Sequence, residues 1–480
     1  MKNNYKLLKE KVKKKNSKDV FFIFLAFFII VLFYFLPNPE GLTHNGQIMI
    51  GILIMAAILW ITEPIPLAVT GLLVMIIQPL FNLRTPSDVF SSFGSNAVFF
   101  LIGAFIIAAS IEKHGLHRRL ALRFLSLFEK SPRFFTFGIM ISCAVLSFIM
   151  PEHGVAALFL PIIVSILIAM KIVPKESNFG KISMLSVAYG CSIGSLGTLI
   201  GGARNIYTVD ILQQAGISIA FFEWMIYAMP VVIISLPLVW LVLQFSFPIE
   251  INDITAAKKE INKQVNKTGR ISKDEILVLS ILIITIVLWI TFSSTVYYGL
   301  AVISILGSIL LFFTKSINWK DVENRVPWGI ILLYGGAITL GIGMQGEELG
   351  GTGAGEWIAN GFFNIAGNNP LIVIFVMIIF TVLLTNIMSN IAAVAILLPI
   401  GLSIAGTMID ISPLLSSMII ALTGGLAFIF VISTPGNAIT YTSGYYSTKD
   451  LLKAGFLSNV ICIFIIFTIA IIYWKGFLGI

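Results

Sequence analysis

The 480 residues are 58% hydrophobic and only 11% charged, where a soluble domain of this length carries about a quarter charged residues. That balance excludes an ordinary soluble protein, and no stretch is long and polar enough to form a separate soluble domain. The formal charge of +8 does not point to nucleic acid, because the basic residues sit in short loops between apolar runs, where they set membrane topology.

Residues 1–19 hold eight lysines and no long apolar run, and read as a basic cytoplasmic tail with no cleavable signal peptide. Apolar runs of about 20 residues, the length a helix needs to cross the hydrocarbon core, then recur to the end. Spans are predicted at 20–35, 47–61, 67–80, 97–111, 182–212, 225–247, 276–292, 298–313, 328–343, 413–441 and 454–473. Two further apolar stretches, 134–170 and 371–404, are too long for one crossing. Each is broken near its middle, by Pro151-Glu152-His153-Gly154 and by Ser389-Asn390, and each reads as a re-entrant hairpin. The fold class expected is therefore an all-α polytopic membrane protein of about eleven crossings and two hairpins.

Basic residues test that count. With the tail inside, the inner loops hold Arg118, Arg119, Arg123, Lys171, Lys175, Lys181, the lysines of 258–273, Lys315, Lys320, Arg325, Lys449 and Lys453, whereas Arg84 and Lys475 fall outside. A hairpin that truly crossed would have put later basic loops outside. The N-terminus is then cytoplasmic and the C-terminus outside. The polar, basic stretch 251–274 links a first half, 20–250, to a second, 275–480.

The halves repeat. Both hairpins place a hydroxyl residue (Ser147, Thr385), a polar break and a closing Leu-Pro-Ile in one register, ending at Ile162 and Ile400. After each comes a helix broken by a short motif, Gly201-Gly202-Ala203-Arg204-Asn205 in one half and Ser433-Thr434-Pro435-Gly436-Asn437 in the other. An odd number of crossings between the copies makes them inverted. Broken helices at matching places in inverted halves point to a transporter's binding site at the bilayer midplane. Unwound backbone at that depth is tolerated only where it lines a cavity or is buried in protein. Half-helix N-termini there offer N–H groups to an anion, while carbonyls and hydroxyls suit a small cation.

At these motifs the chain resembles the divalent anion:sodium symporter family of dicarboxylate, citrate and sulfate carriers. The likeness runs over nearly the whole chain, from Trp60-Ile61-Thr62-Glu63-Pro64-Ile65-Pro66 to Thr434-Pro435-Gly436-Asn437-Ala438. It implies a homodimer and an elevator-type transporter, with a static scaffold and a moving transport domain. It also implies Ser-Asn-Thr at each hairpin tip. In the second half Ser389 and Asn390 keep the first two positions and Ile391 replaces threonine. Thr385, Ser389, Asn390 and the backbone at Ser433 are then the sodium site of that half, with Thr434 and Pro435 beside the substrate.

The first half departs. Pro151, Glu152 and His153 fill the signature positions, and Ala203 and Arg204 stand where two prolines are usual, with Asn205 retained. Ser147 and Gly201 match other first-site positions, but losing the serine and asparagine removes oxygen ligands that sodium needs. Ionisable residues at membrane depth are costly and usually paired, so Glu152 and Arg204 are expected to pair. Arg204 then supplies a fixed positive charge where relatives use a bound cation, and His153 adds a charge or a donor toward a substrate carboxylate. Two other roles stay open: the pair locks the hairpin to the broken helix, or Glu152 carries a coupling proton. A charge that cannot leave favours obligatory exchange, or sodium coupling at the second site alone, over multi-sodium symport.

Small divalent anions are thus the expected substrates, C4-dicarboxylates first and citrate or sulfate after them, with no cofactor and Na+ as the candidate coupling ion. The lipid bilayer and a second copy are the other expected partners, and a bacterial plasma membrane is the expected location. Glu63 reads as a turn residue, His44, His114 and His117 as solvated loop residues, Asp210 as the end of the broken helix, and 112–133 as an amphipathic surface helix. A membrane-embedded enzyme lacks its motifs here, with no His-Glu-x-x-His pair and only four histidines. A channel would show a continuous polar lining rather than polar groups at one level.

Overall fold

The computed structural model describes residues 2–293, 295, 297–367 and 369–480, with side chains described except at 2–16, 349 and 362–366. Met1, the first residue of the predicted tail, lies outside the described residues. Every predicted span coincides with a helix or with a helix broken in two. Among the described residues, nine helices are long and apolar enough to cross a membrane. Three of these, Glu152–Ala169, Pro370–Ile387 and Asn390–Thr407, are hairpin arms rather than predicted crossings. Leu67–Leu80 and Leu300–Phe313, at 14 residues each, fall below that length, as do the halves of the broken helices. Length alone therefore gives a tally different from the eleven crossings predicted.

Three expectations change in detail. The first helix begins at Lys2, so the backbone of the tail continues the first span instead of preceding it. The linker is not a loop: Thr255–Thr268 is a helix that buries Ala257, Ile261 and Gln264. The histidines differ among themselves, since His44 is exposed, whereas His114 bonds the carbonyl of Ser316 at 2.7 Å and His117 is half-buried in the helix Leu116–Ser126. Glu63 does hold a turn, ending the helix His44–Thr62 in the left-handed region at φ 45° with its N–H on the carbonyl of Leu59.

The chain forms two compact units, each drawing on both sequence halves: 1–95, 328–373 and 395–413 make one, and 96–327, 374–394 and 414–480 the other. In the first, Leu67–Leu80 packs on Trp328–Met344 at a glycine contact, where a Cβ on Gly336 would overlap Gly71. Arg84 is held there by the hydroxyl of Thr339 at 3.1 Å. The second unit carries both broken helices and both hairpin tips. Its own glycine contacts set the site: a Cβ on Gly190 would meet Met140, and one on Gly194 would overlap Ala144. Small residues thus let the hairpin arm Pro132–Leu146 lie directly on Asn178–Gly194, which brings the hairpin tip level with the break that follows.

Candidate substrate and ion site

Each break is a stretch of unwound backbone whose carbonyls need partners. In the first, Asn205 Nδ2 donates to the carbonyls of Ser195 at 2.8 Å and Thr198 at 2.7 Å. In the second, Asn437 Nδ2 donates to the carbonyls of Ala427 at 3.1 Å and Phe430 at 3.0 Å. The spacing is the same, ten and seven residues back, so the two asparagines are equivalent clamps. Both Asn205 Oδ1 and Asn437 Oδ1 are buried without a protein partner.

The hairpin tips dock beside these clamps. Thr198 Oγ1 donates to the carbonyl of Phe148 at 2.7 Å in the first half, and Ser433 Oγ to the carbonyl of Asn386 at 2.5 Å in the second. Ser147 is fully buried with an unpartnered hydroxyl, and its carbonyl abuts Gly201 closely enough that a Cβ there would overlap it. Asn386 also accepts from the N–H of Ile429 at 2.9 Å, tying the tip to the unwound strand.

Within this shared frame the two halves carry different chemistry. In the second, Thr385 Oγ1 lies 2.9 Å from Asn390 Oδ1 and 2.6 Å from the carbonyl of Gly424, three oxygens gathered around one buried point. Asn390 Nδ2 and Thr423 Oγ1 nearby are buried and unpartnered. Ser389 caps the returning arm, accepting from the N–H of Ala392 at 3.3 Å. Ser433 and Thr434 are each 1% exposed, Thr434 accepting from the N–H of Asn437 at 3.0 Å, while Pro435 opens the following half-helix from an exposed position.

In the first half the place of Asn390 is taken by Glu152, at the N-terminus of its arm, and the place of Gly436 by Arg204. The structure brings Glu152 and Arg204 together through a residue the sequence reading did not single out. Ser195 Oγ accepts from Arg204 Nη2 at 2.7 Å, and its own proton is shared between Glu152 Oε2 at 3.1 Å and the carbonyl of Ser192 at 2.7 Å. Arg204 is 2% exposed and Glu152 9%. A Cβ on Gly425 would overlap the Arg204 guanidinium, so the cation of the first half is pressed against the break of the second. Asp210 lies inside the half-helix Ala203–Gln214 rather than at its end, 5% exposed, and accepts from Gln214 at 3.0 Å.

The side chain that lines open space is instead His153. With Pro151 and Gly154 it lines a cavity of about 770 Å³, which also reaches Ile439 just past the second break. The arm behind His153 begins at Pro151 with no side-chain cap; the N–H groups of Gly154 and Val155 bond the Pro151 carbonyl, which leaves those of Glu152 and His153 without such a partner.

The pattern of a sodium:sulfate symporter transmembrane region matches residues 17–480. A sodium-dependent dicarboxylate transporter of Staphylococcus saprophyticus is 30% identical over 506 residues, covering 98% of this chain and 94% of that protein. Its counterpart in Staphylococcus aureus is 30% identical over 477 residues, covering 94% and 89%. Among solved structures, the MtrF efflux pump of Neisseria gonorrhoeae aligns with a TM-score of 0.55 at 13% identity, over 96% of this chain and 94% of that one. The YdaH transporter of Alcanivorax borkumensis aligns with a TM-score of 0.55 at 12% identity, over 91% and 99%. At such identities these two likenesses speak for the fold alone.

Proposed function

The chain belongs to the sodium:sulfate symporter family, and on that footing we propose that it is a secondary transporter of C4-dicarboxylates that works by exchange. The observation that carries the reading is the buried bridge Glu152–Ser195–Arg204, which puts a permanent cation where the equivalent place in the second half gathers neutral oxygens. A bound sodium ion can leave with its substrate, and an empty carrier then returns without it. Arg204 cannot leave. With the Glu152–Arg204 pair built into the chain, the first site has no coupling ion to release, and a second dicarboxylate fills the carrier before it returns. His153 and the open first turn of its arm take one carboxylate, and the Thr434–Asn437 half-helix takes the other. Asn205 and Asn437 hold the two breaks open.

A second reading keeps sodium at one place. Thr385, Ser389, Asn390 and the backbone at Ser433 offer the hydroxyl, amide and carbonyl oxygens that a hard cation prefers, with sodium entering and leaving as a co-substrate. At the first site, Ser147 and Gly201 touch but the oxygens of the family's serine and asparagine are missing, and Arg204 supplies the positive charge in their stead. The protein works as a homodimer with an elevator motion in a bacterial plasma membrane, its N-terminus cytoplasmic and its C-terminus outside.

Counterflow tests the carrier reading. Proteoliposomes loaded with unlabelled succinate should accumulate labelled succinate transiently above its outside concentration, with uptake that saturates. Linear flux without an overshoot would mark a channel, and no flux would remove succinate as the substrate.

A further inference from the structure

The cavity in front of His153 has a charge pattern that the site behind it does not require. Its walls include the hairpin tip, the end of the helix Asn96–Lys113, the first turn of the surface helix Leu116–Ser126, the face of the linker helix Thr255–Thr268, and Arg325. Two carboxylates line it, and each is already engaged. Glu112 pairs with Arg325 at 3.3 Å, and Glu260 with Lys263 at 3.5 Å while accepting from Gln264 at 3.2 Å. Arg118 and Lys267 also line the cavity, are exposed, and pair with no carboxylate among the described residues. The surface helix starts at Gly115 with no side-chain cap; the N–H groups of Arg118 and Arg119 bond the Gly115 carbonyl, which leaves those of Leu116 and His117 without such a partner. His117 Nδ1 is buried there without a partner, and burial holds its imidazole below the usual range. The surplus charge therefore rests on Arg118 and Lys267.

We infer that this cavity is a separate anion-staging subsite, in which Arg118 and Lys267 hold a small multivalent anion before it reaches His153 at the hairpin tip. Two uncompensated cations in a cleft with apolar walls focus the field and raise the local anion concentration and capture rate, by roughly 10- to 1,000-fold in known cases. The substrate class rests on the transport reading above; the anion preference of the cavity does not. A staging subsite also differs from the alternating site in one measurable respect. It belongs to one face, so losing it affects substrate arriving from that face only.

The experiment uses Ala157→Cys, an exposed cavity position, in the full-length protein, whose native Cys143, Cys191 and Cys462 are buried. Methanethiosulfonates carrying a sulfonate or a trimethylammonium group are timed against this thiol at low and at high salt. The anionic reagent should react roughly tenfold faster at low salt, with the preference shrinking at high salt and vanishing in Arg118→Gln/Lys267→Gln. Arg118→Lys/Lys267→Arg should retain it, which separates charge from folding. In oriented proteoliposomes the double glutamine variant should raise the succinate KM roughly tenfold on the linker-helix face and leave the other face unchanged. Equal reaction rates in the parent, a preference that survives the double variant, or a KM raised equally on both faces would overturn the inference. If succinate is not carried at all, the transport reading falls, and the thiol kinetics still decide the subsite.

Discussion

Arg204→Gln is expected to cost about 3–5 kcal/mol of stability and to abolish transport, the largest effect of any single change in the site. Arg204 is 2% exposed and reaches Glu152 through the hydroxyl of Ser195, so removing its charge strands a buried carboxylate in low-dielectric surroundings. The cost is that of an orphaned ion rather than of a lost hydrogen bond. Glu152→Gln/Arg204→Gln, which removes both charges and keeps amides that can bond Ser195, should therefore recover most of the stability while remaining inactive. Thermal unfolding in detergent reads the first result and proteoliposome flux the second. If Arg204→Gln unfolds with the parent protein, or if the double variant is no better than the single, the bridge is not what holds the tip to the break. A pair that merely locks the two elements would regain transport along with stability in the double variant, and that outcome would return Arg204 to a structural role.

The second large effect lies away from the site. Arg119→Ala is expected to cost about 3–5 kcal/mol for the same reason, because Glu275 is left buried. Arg119 Nε and Nη2 hold the two carboxylate oxygens of Glu275 at 2.8 and 3.0 Å, and the remaining donors reach the carbonyls of Gly269 at 2.8 Å, Thr268 at 2.9 Å and Arg270 at 3.2 Å. One side chain thus pins the surface helix Leu116–Ser126 to the segment between the linker helix and the span Lys273–Phe292. Lysine offers one point charge instead of a planar fork, so Arg119→Lys should recover only part of the loss. Scanning calorimetry or fluorescence-detected unfolding gives the ranking alanine, lysine, parent in rising order. An alanine variant equal to the parent would show that the helix is held by its apolar face alone.

Much of this architecture was legible because its signals are local. Apolar length marks the spans, and a proline or glycine run marks each break. The repeat appears because the hairpin and the break keep their register, down to Asn205 and Asn437, whose clamps turn out to have the same spacing in both halves. The equivalence of Glu152 with Asn390 and of Arg204 with Gly436 follows from that register and locates the departure in the first half.

What the chain order hides is contact between distant small residues. Ser195 lies 43 positions from Glu152 and sits in a Gly-Ser-Leu-Gly run that reads as ordinary unwound backbone, yet it carries the link between the two charges. Nor does spacing tell which of the two side chains, Arg204 or His153, faces open space. Arg204 is longer than His153 but is folded back against Gly425, a contact only glycine permits, whereas His153 stands at the tip of an uncapped arm and lines the cavity. The linker looks like a loop because it is polar and basic, but Ala257, Ile261 and Gln264 fall on one helical face and are buried by tertiary contacts that composition does not reveal. The two compact units also cut across the halves, because each glycine-faced helix packs on a helix of the other half, Gly336 on Gly71 and Gly103 on Ser304.

A fixed arginine in place of a bound cation makes itself felt in one flux measurement. Purified protein in liposomes is given labelled succinate outside, with either an inward sodium gradient and empty vesicles or equal sodium and unlabelled dicarboxylate inside. Uptake that requires internal dicarboxylate and does not respond to sodium is the expected result. Uptake into empty vesicles driven by the sodium gradient would contradict exchange and would place the coupling at Thr385, Ser389 and Asn390.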